Sequence, residues 1–521
     1  MRARAAAAAA AAIVVLVIVI ASTGGSRAAP PATGAATVVP GDALAYVHVS
    51  IEPNRPAVSA ALKLAQRFPT YPLIAAGAVA RLSAIVAGGG TADFAHDIRP
   101  WLGREVALAL LNTQTSTAGS ELVLDVARRT LAHAFILRAG ASTDAAYRGI
   151  PVYRYRSGAA LAFVRHYLVV GQPASVRSAI DAATGQLPSL DASPVYRGAA
   201  SGEAADRVLD VYASSAGVQR LLVPQGGLIG ALGALLYEPD LTGVAVSLSA
   251  AGTEAKLRVH AVFDPNLPGH GGSGAFTPSL DGELPAGSLL ALDVIGLDRI
   301  APHVLNAGTA GGIGVQIGPL LRQLGAALAA EGVDVKQIES LFSGETVVAI
   351  PPGRGLVIVT RTKDEQAVRT ELANLEVPLS QLFPPPASGS GQVAQIREEA
   401  LDGVSAHQLI LAPGLELDYA VFRGLIAVST SLRGIADVVR HPRSLIDESA
   451  YRATLSGRPD RVTSLVFLDF SQLLNLAEQT GLLRGTRYRA LQPDIARVRA
   501  AGLDSTRGEA DSTAELTLQI S

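Results

Sequence analysis

The sequence predicts an α+β protein: two tandem homologous domains, each a mostly antiparallel sheet with packed helices, after an N-terminal apolar helix. Three observations lead there. The stretch Val39-Pro40-Gly41-Asp42-Ala43-Leu44-Ala45-Tyr46-Val47-His48-Val49 recurs without a gap as Leu284-Pro285-Ala286-Gly287-Ser288-Leu289-Leu290-Ala291-Leu292-Asp293-Val294. Short runs of alternating apolar and polar residues follow one another closely, as antiparallel meanders require. Between them lie Ala- and Leu-rich stretches with apolar residues three and four apart, the spacing of a buried helix face.

Arg2 and Arg4 precede an uncharged apolar run over 5–21, and small residues follow. That order is an export signal, so 1–21 reads as a signal anchor or signal peptide. The run reaches the lower end of the ~17–25 residues that cross a bilayer. A single retained N-terminal span is therefore expected, with the bulk extracytoplasmic, or a secreted protein if cleavage occurs near Ser26-Arg27-Ala28. Residues 22–38, rich in Ala, Gly, Ser, Thr and Pro, read as a flexible tether. The first repeat domain spans 39–263, a Pro/Gly linker 264–283, and the second repeat domain 284–521.

The repeat reaches beyond its opening strand. Tyr196-Arg197 recurs as Tyr451-Arg452, Asp206-Arg207-Val208 as Asp460-Arg461-Val462, and Pro239-Asp240-Leu241 as Pro493-Asp494-Ile495. In each copy a first strand precedes helices, one of which presents Val58, Leu62, Ala65 and Phe68 on one face. A strand after Gly103 or Gly344 comes next, then another at 134–137 or 356–360. Three short strands follow, at 152–155, 161–164 and 167–170, or at 408–411, 417–420 and 425–428. A helix carrying Val176, Ile180 and Ala183, or Ile435, Val438 and Val439, leads to the Tyr-Arg motif. A hairpin closes each copy, 244–248 with 257–262 and 498–503 with 514–520. Residues 112–130 have no counterpart in the second copy, which instead adds a helix bearing Val368, Leu372 and Leu375.

Four times a polar residue and an apolar one end a strand before a helix: His48-Val49, Asp210-Val211, Asp293-Val294 and Asp469-Phe470. Helix starts carry unpaired N–H groups and a positive dipole end, so the expectation is capping. The rival is that His48 and Asp293, at equivalent positions, face one shared cleft.

The run 39–49, with Pro40-Gly41-Asp42 ahead of its strand, and the later Gln66-Arg67-Phe68-Pro69 resemble a family of exported bacterial proteins catalogued as a domain of unknown function. The resemblance covers nearly everything after the tether. It implies an envelope location and supports the strand order. It brings no activity, cofactor or catalytic residue.

Composition narrows the chemistry. With no Cys there are no disulfides, thiolate metal sites or Cys nucleophiles. A formal net charge of −2 gives no basic field for nucleic acid. The Gly269-His270-Gly271-Gly272-Ser273-Gly274 tract lacks the glycine a nucleophile elbow needs, because position 275 is Ala. The nine His residues make no metal-ligand spacing. No metal, cofactor or catalytic group is expected.

The copies disagree at 226–236, apolar throughout, against the basic 481–489. Leu228, Ile229 and Leu232 there are candidate ligand-binding residues, with His48 and Asp293, for a groove holding a lipid or partner. The leading expectation is a membrane-anchored, non-catalytic binding or scaffolding protein of the bacterial envelope, with an envelope protein or lipid as partner. The alternative is a carrier or sensor of an apolar ligand such as a lipid. An envelope hydrolase ranks third.

Overall fold

The computed structural model describes residues 31–52, 54–112, 119–222, 239–267, 274–296, 340–352, 355–381, 395–412, 415–440, 443–479 and 486–521. The expected N-terminal apolar helix lies outside them. The architecture is mixed α/β, with one large antiparallel sheet and helices packed on it. The strands are β1 (Ala45–Ser50), β2 (Leu102–Leu111), β3 (Gly119–Val126), β4 (Ser142–Thr143), β5 (Val152–Arg154), β6 (Ala160–Val164), β7 (Tyr167–Gly171), β8 (Leu209–Ser214), β9 (Leu241–Ala251) and β10 (Glu254–Phe263). There follow β11 (Leu290–Ile295), β12 (Glu345–Ile350), β13 (Val357–Arg361), β14 (Gln395–Leu401), β15 (Val404–Ala412), β16 (Leu415–Phe422), β17 (Leu425–Ser429), β18 (Ser464–Asp469), β19 (Val498–Arg507) and β20 (Asp511–Ile520).

Across the sheet the pairing order is β4-β5-β6-β7-β3-β2-β1-β8-β9-β10. It continues from β10 as β20-β19-β18-β11-β12-β13-β17-β16-β15-β14. Adding ten to each strand number of the first half reproduces the pairings of the second. β10 and β20 form the seam, in register from Glu254 opposite Gln519 to Val262 opposite Asp511. Two-residue turns close several hairpins. Asp402-Gly403 and Arg423-Gly424 all have positive φ, the conformation whose twist matches the flanking strands. The edges are blunted: β4 is two residues long, and β14 exposes Arg397, Glu398 and Glu399.

In the first half both faces of the sheet are covered. Val47, Val49, Leu108, Leu122 and Leu168 are buried with helices Pro56–Ala65, Tyr71–Val86 and Arg129–Arg138. The opposite face, with Tyr46, Ala107, Val123 and Val169, packs on Gly34–Val38 and Pro173–Ala183. In the second half, helices Leu432–Arg440 and Ser449–Leu455 cover the face bearing Ala291, Val347 and Phe467. Helix Glu365–Gln381 covers Leu409, Tyr419, Val421 and Ile426 on the other face of the outer strands. Contacts beyond the seam tie the halves. Arg67 Nη1 donates to Ile520 O (3.2 Å), and the Thr70 amide and hydroxyl donate to Asp494 (3.1 and 2.6 Å).

Three expectations are corrected here. The end of the supposed tether, Gly34–Val38, is a 3₁₀ turn with Ala35, Ala36 and Val38 buried. The supposed strand at 134–137 belongs to helix Arg129–Arg138, because a short apolar run does not by itself distinguish the two. Residues 112–130 are not an insertion without a counterpart. They contain β3, which pairs with β2 and β7 as β13 pairs with β12 and β17.

Candidate functional site

Capping explains only part of the polar pattern at the strand ends. Asp469 accepts the Gln472 amide (3.1 Å), and Ser214 accepts the Gly217 amide (3.1 Å); both are helix caps. His48, Asp210 and Asp293 are not. Each sits inside a strand with its side chain buried.

His48 Nδ1 lies 2.9 Å from Asp210 Oδ1, its cross-strand partner, and Nε2 lies 3.1 Å from Glu105 Oε2. Arg207 Nε bridges Asp210 (3.0 Å) and Glu203 (2.9 Å). The Tyr167 hydroxyl donates to Glu105 Oε1 (2.6 Å), and the Ala35 amide donates to its other oxygen (3.3 Å). Burial alone lowers the imidazole pKa, but Asp210 and then Glu105 outweigh it and push it up to about 10. Burial raises both carboxylates, and the opposed charge and hydrogen bonds bring Asp210 and Glu105 below the usual range. Glu203, buried beside Asp210, is pushed up to about 8. The result is an imidazolium clamped between two carboxylates, with no exposed surface on His48.

In the second half, Asp293 takes the place of His48 and Glu345 that of Glu105. Glu345 accepts the Leu280 amide (3.0 Å) and the amide and hydroxyl of Ser279 (2.5 Å each). Asp281 accepts from the Tyr451 hydroxyl and Arg458 Nη2, each at 2.7 Å. The Asp293 oxygens are buried, and among the described residues only the Glu345 carboxylate stands beside them as a hydrogen-bonding group. Burial first, then the charges of Glu345 and Asp281, push its carboxyl up to about 9, so it is a neutral acid at neutral pH. No contact joins Asp293 to His48 among the described residues, so the shared-cleft rival gains no support. Both centres are closed to solvent and packed against their own half of the sheet.

Among the described residues, one partly exposed feature is apolar. A straight row crosses seven strands in register: Leu257, Leu516, Leu503, Val466, Leu292, Val348 and Ile358. All point to one face, since directly opposed residues in antiparallel strands share a side. Each is only partly buried. Six strand spacings of about 4.8 Å make the row about 29 Å long. A second row beside it carries Leu518, Leu468, Leu290 and Ile350, also partly buried. The margin on the other side is polar, with Ser464 and Ser505 hydroxyls 2.6 Å apart. The reverse face of the seam is charged: Lys256 and Arg258 both reach Glu515, at 3.0 and 2.5 Å.

Leu228, Ile229 and Leu232 lie outside the described residues. Sequence reading found the closing hairpins but not the row, because register alone aligns strands so distant in the chain. Nor did it find Glu105 and Glu203 beside His48, since nothing in the sequence signals pairing across 57 or 155 positions.

The sequence matches the family described as "Protein of unknown function (DUF3352)" over residues 4–519, and the chain belongs to that family. The resemblance drawn from the opening motif is borne out. Comparison with curated proteins finds no match. Among solved structures, "Structure of crystal form I of TP0453" aligns at 12% identity over 46% of this chain and 82% of that one, with a TM-score of 0.27. Crystal form III of TP0453 aligns at 13% identity over 47% and 88%, with a TM-score of 0.25. Likeness at that score carries no argument about this chain.

The anchored scaffold expected from the sequence is corrected. Among the described residues no helix is long and apolar enough to cross a membrane. The run at 5–21, which carried the expected N-terminal span and the membrane partner, lies outside them.

Proposed function

We propose that this member of the DUF3352 family binds an apolar ligand, a lipid acyl chain by chemistry, on the sheet face between its seam and β13, and does so without bond-making. The observation that carries the reading is the partly exposed row from Leu257 to Ile358. Apolar surface left in water costs about 25 cal/mol per Å², so an apolar band that stays partly exposed among the described residues favours contact with an apolar ligand. Its length of about 29 Å approaches the ~30 Å hydrocarbon thickness of a bilayer, room for an extended acyl chain. The Ser464–Ser505 margin offers hydroxyls to an amphiphile's polar end. A non-catalytic role is supported by the burial of both ionisable centres.

The same proposal includes an ancestral duplication, with boundaries at 39–263 and 284–521. What supports it is the matched pairing of β1 to β10 with β11 to β20, together with the gapless opening repeat.

The test is a fluorescence titration with cis-parinaric acid, comparing wild type with Leu292→Asp and Leu503→Asp. Saturable binding weakened at least about tenfold in the folded variants is expected, since a charge in the band must be desolvated by the ligand. Equal binding by wild type and variants, or no saturable binding, overturns the proposal.

A further inference from the structure

On the second half lies a cavity of about 530 Å³ that the apolar band does not use. It is lined by Arg443, Arg452 and Arg499 together with Asp447, Glu448 and Asp469. Formal charges balance, but their engagement does not. Each acid is held by backbone: Asp447 Oδ2 accepts the Ser444 amide (3.2 Å), and Glu448 Oε1 accepts the Gly287 amide (2.5 Å). Asp469 accepts the Gln472 amide, the Gln472 side-chain amide (2.8 Å) and the Ser471 hydroxyl (2.6 Å). The three arginine side chains make no hydrogen bond or ion pair among the described residues. The three guanidinium groups, with about five N–H donors each, line a cavity in which each carboxylate already accepts at least one backbone amide.

The corresponding corner of the first half is not built this way. Pro188, Arg197 and Thr242 stand where the second half has Arg443, Arg452 and Arg499. Arg197 donates to Ala192 O (3.4 Å), and Thr242 donates to Val262 O (2.8 Å). The first-half corner thus keeps one arginine, and the second half adds two more that contribute no internal contact among the described residues.

We propose that this cavity binds a phosphate-class anion through Arg443, Arg452 and Arg499. Guanidinium groups present paired donors that match phosphate oxygens, and such charge-assisted bonds are about twice as strong as neutral ones. The anion is either free phosphate or the phosphomonoester headgroup of a lipid. The site stands independently of the apolar band.

The experiment uses the full chain and two probes, inorganic phosphate by calorimetry and phosphatidylcholine vesicles doped with phosphatidic acid by co-sedimentation. The variants are Arg452→Gln/Arg499→Gln, with Arg423→Gln as a control outside the cavity. Circular dichroism checks folding, and exposed arginines are replaceable without loss of core. Expected is phosphate binding weakened at least about tenfold in the double variant and unchanged in the control. Binding of doped vesicles but not free phosphate, lost in the same variant, identifies the headgroup as the source and also supports the site. No binding of either probe, or equal binding by wild type and double variant, overturns it. A loss of parinaric acid binding alone would leave this site standing, because the two surfaces share no residue.

Discussion

Val47 and Leu292 occupy the same place in two runs of sequence that align without a gap. Val47 pairs with Leu108 and Val211, and Leu292 with Val348 and Val466. Val47 and Leu108 are buried beneath helices Pro56–Ala65 and Tyr71–Val86, whereas Leu292, Val348 and Val466 remain partly exposed. One position further along, His48 is a clamped cation and Asp293 a neutral acid. The two halves thus share a strand plan and differ in what it is used for. The first half closes its sheet on both faces and locks it with a buried ion cluster. In the second, among the described residues, no helix packs on the band through Leu292, Val348 and Val466, and its polar centre holds the neutral Asp293 instead of a clamped cation.

The largest expected effect comes from erasing the difference at the buried centre. His48→Asp places a third carboxylate between Glu105 and Asp210, so denaturant unfolding should show a loss of about 3–5 kcal/mol or failure to fold. The reciprocal Asp293→His introduces a base beside Glu345 and Asp281 and should be far better tolerated. Comparable losses in both would show that the two centres do the same job.

The next effect concerns pH. His48 has a folded pKa above its unfolded value, so its stabilisation is present below about 6.5 and is lost as pH rises toward about 10. Asp293 is also raised, so the folded state holds its proton over a wider window, from about 3.8 to about 9, and stability declines across it. Asp293→Asn mimics the protonated acid. It should raise stability at pH 8 by more than about 1 kcal/mol and flatten the pH profile in that window. A profile parallel to wild type would mean that Asp293 is ionised in the fold.

A smaller effect is expected at the contact between halves. Asp494 binds the Thr70 amide and hydroxyl, so Asp494→Ala should cost about 1 kcal/mol in chemical denaturation. Independent unfolding of the halves in that variant would make the contact more important than the seam; a single cooperative transition keeps the seam dominant.

How much of this was legible in the chain follows from distance along it. The gapless repeat, the meander strands and the closing hairpins could be read because their signals are local: alternation, turns and one amphipathic face at a time. The 134–137 run is ambiguous in sequence because Ala134-Phe135-Ile136-Leu137 is apolar throughout and suits either periodicity. Gly34–Val38 looks like tether in sequence because Ala, Gly and Thr suit one, while its burial involves Glu105 far away in the chain. The apolar row has no local signature because it exists only in register, one residue from each of seven strands. The arginine cavity lacks one for the same reason: Arg443, Arg452 and Arg499 converge from a loop, a helix and a strand.

The central claim, an apolar ligand seated on the partly exposed band, is tested most directly by photo-crosslinking the full chain with a diazirine-bearing fatty acid and mapping the labelled peptides. Labels concentrated in β11, β12, β18, β19 and β20, and displaced by unlabelled fatty acid, are the expected result. Labels in β1 to β3, or spread evenly and not displaced, contradict it.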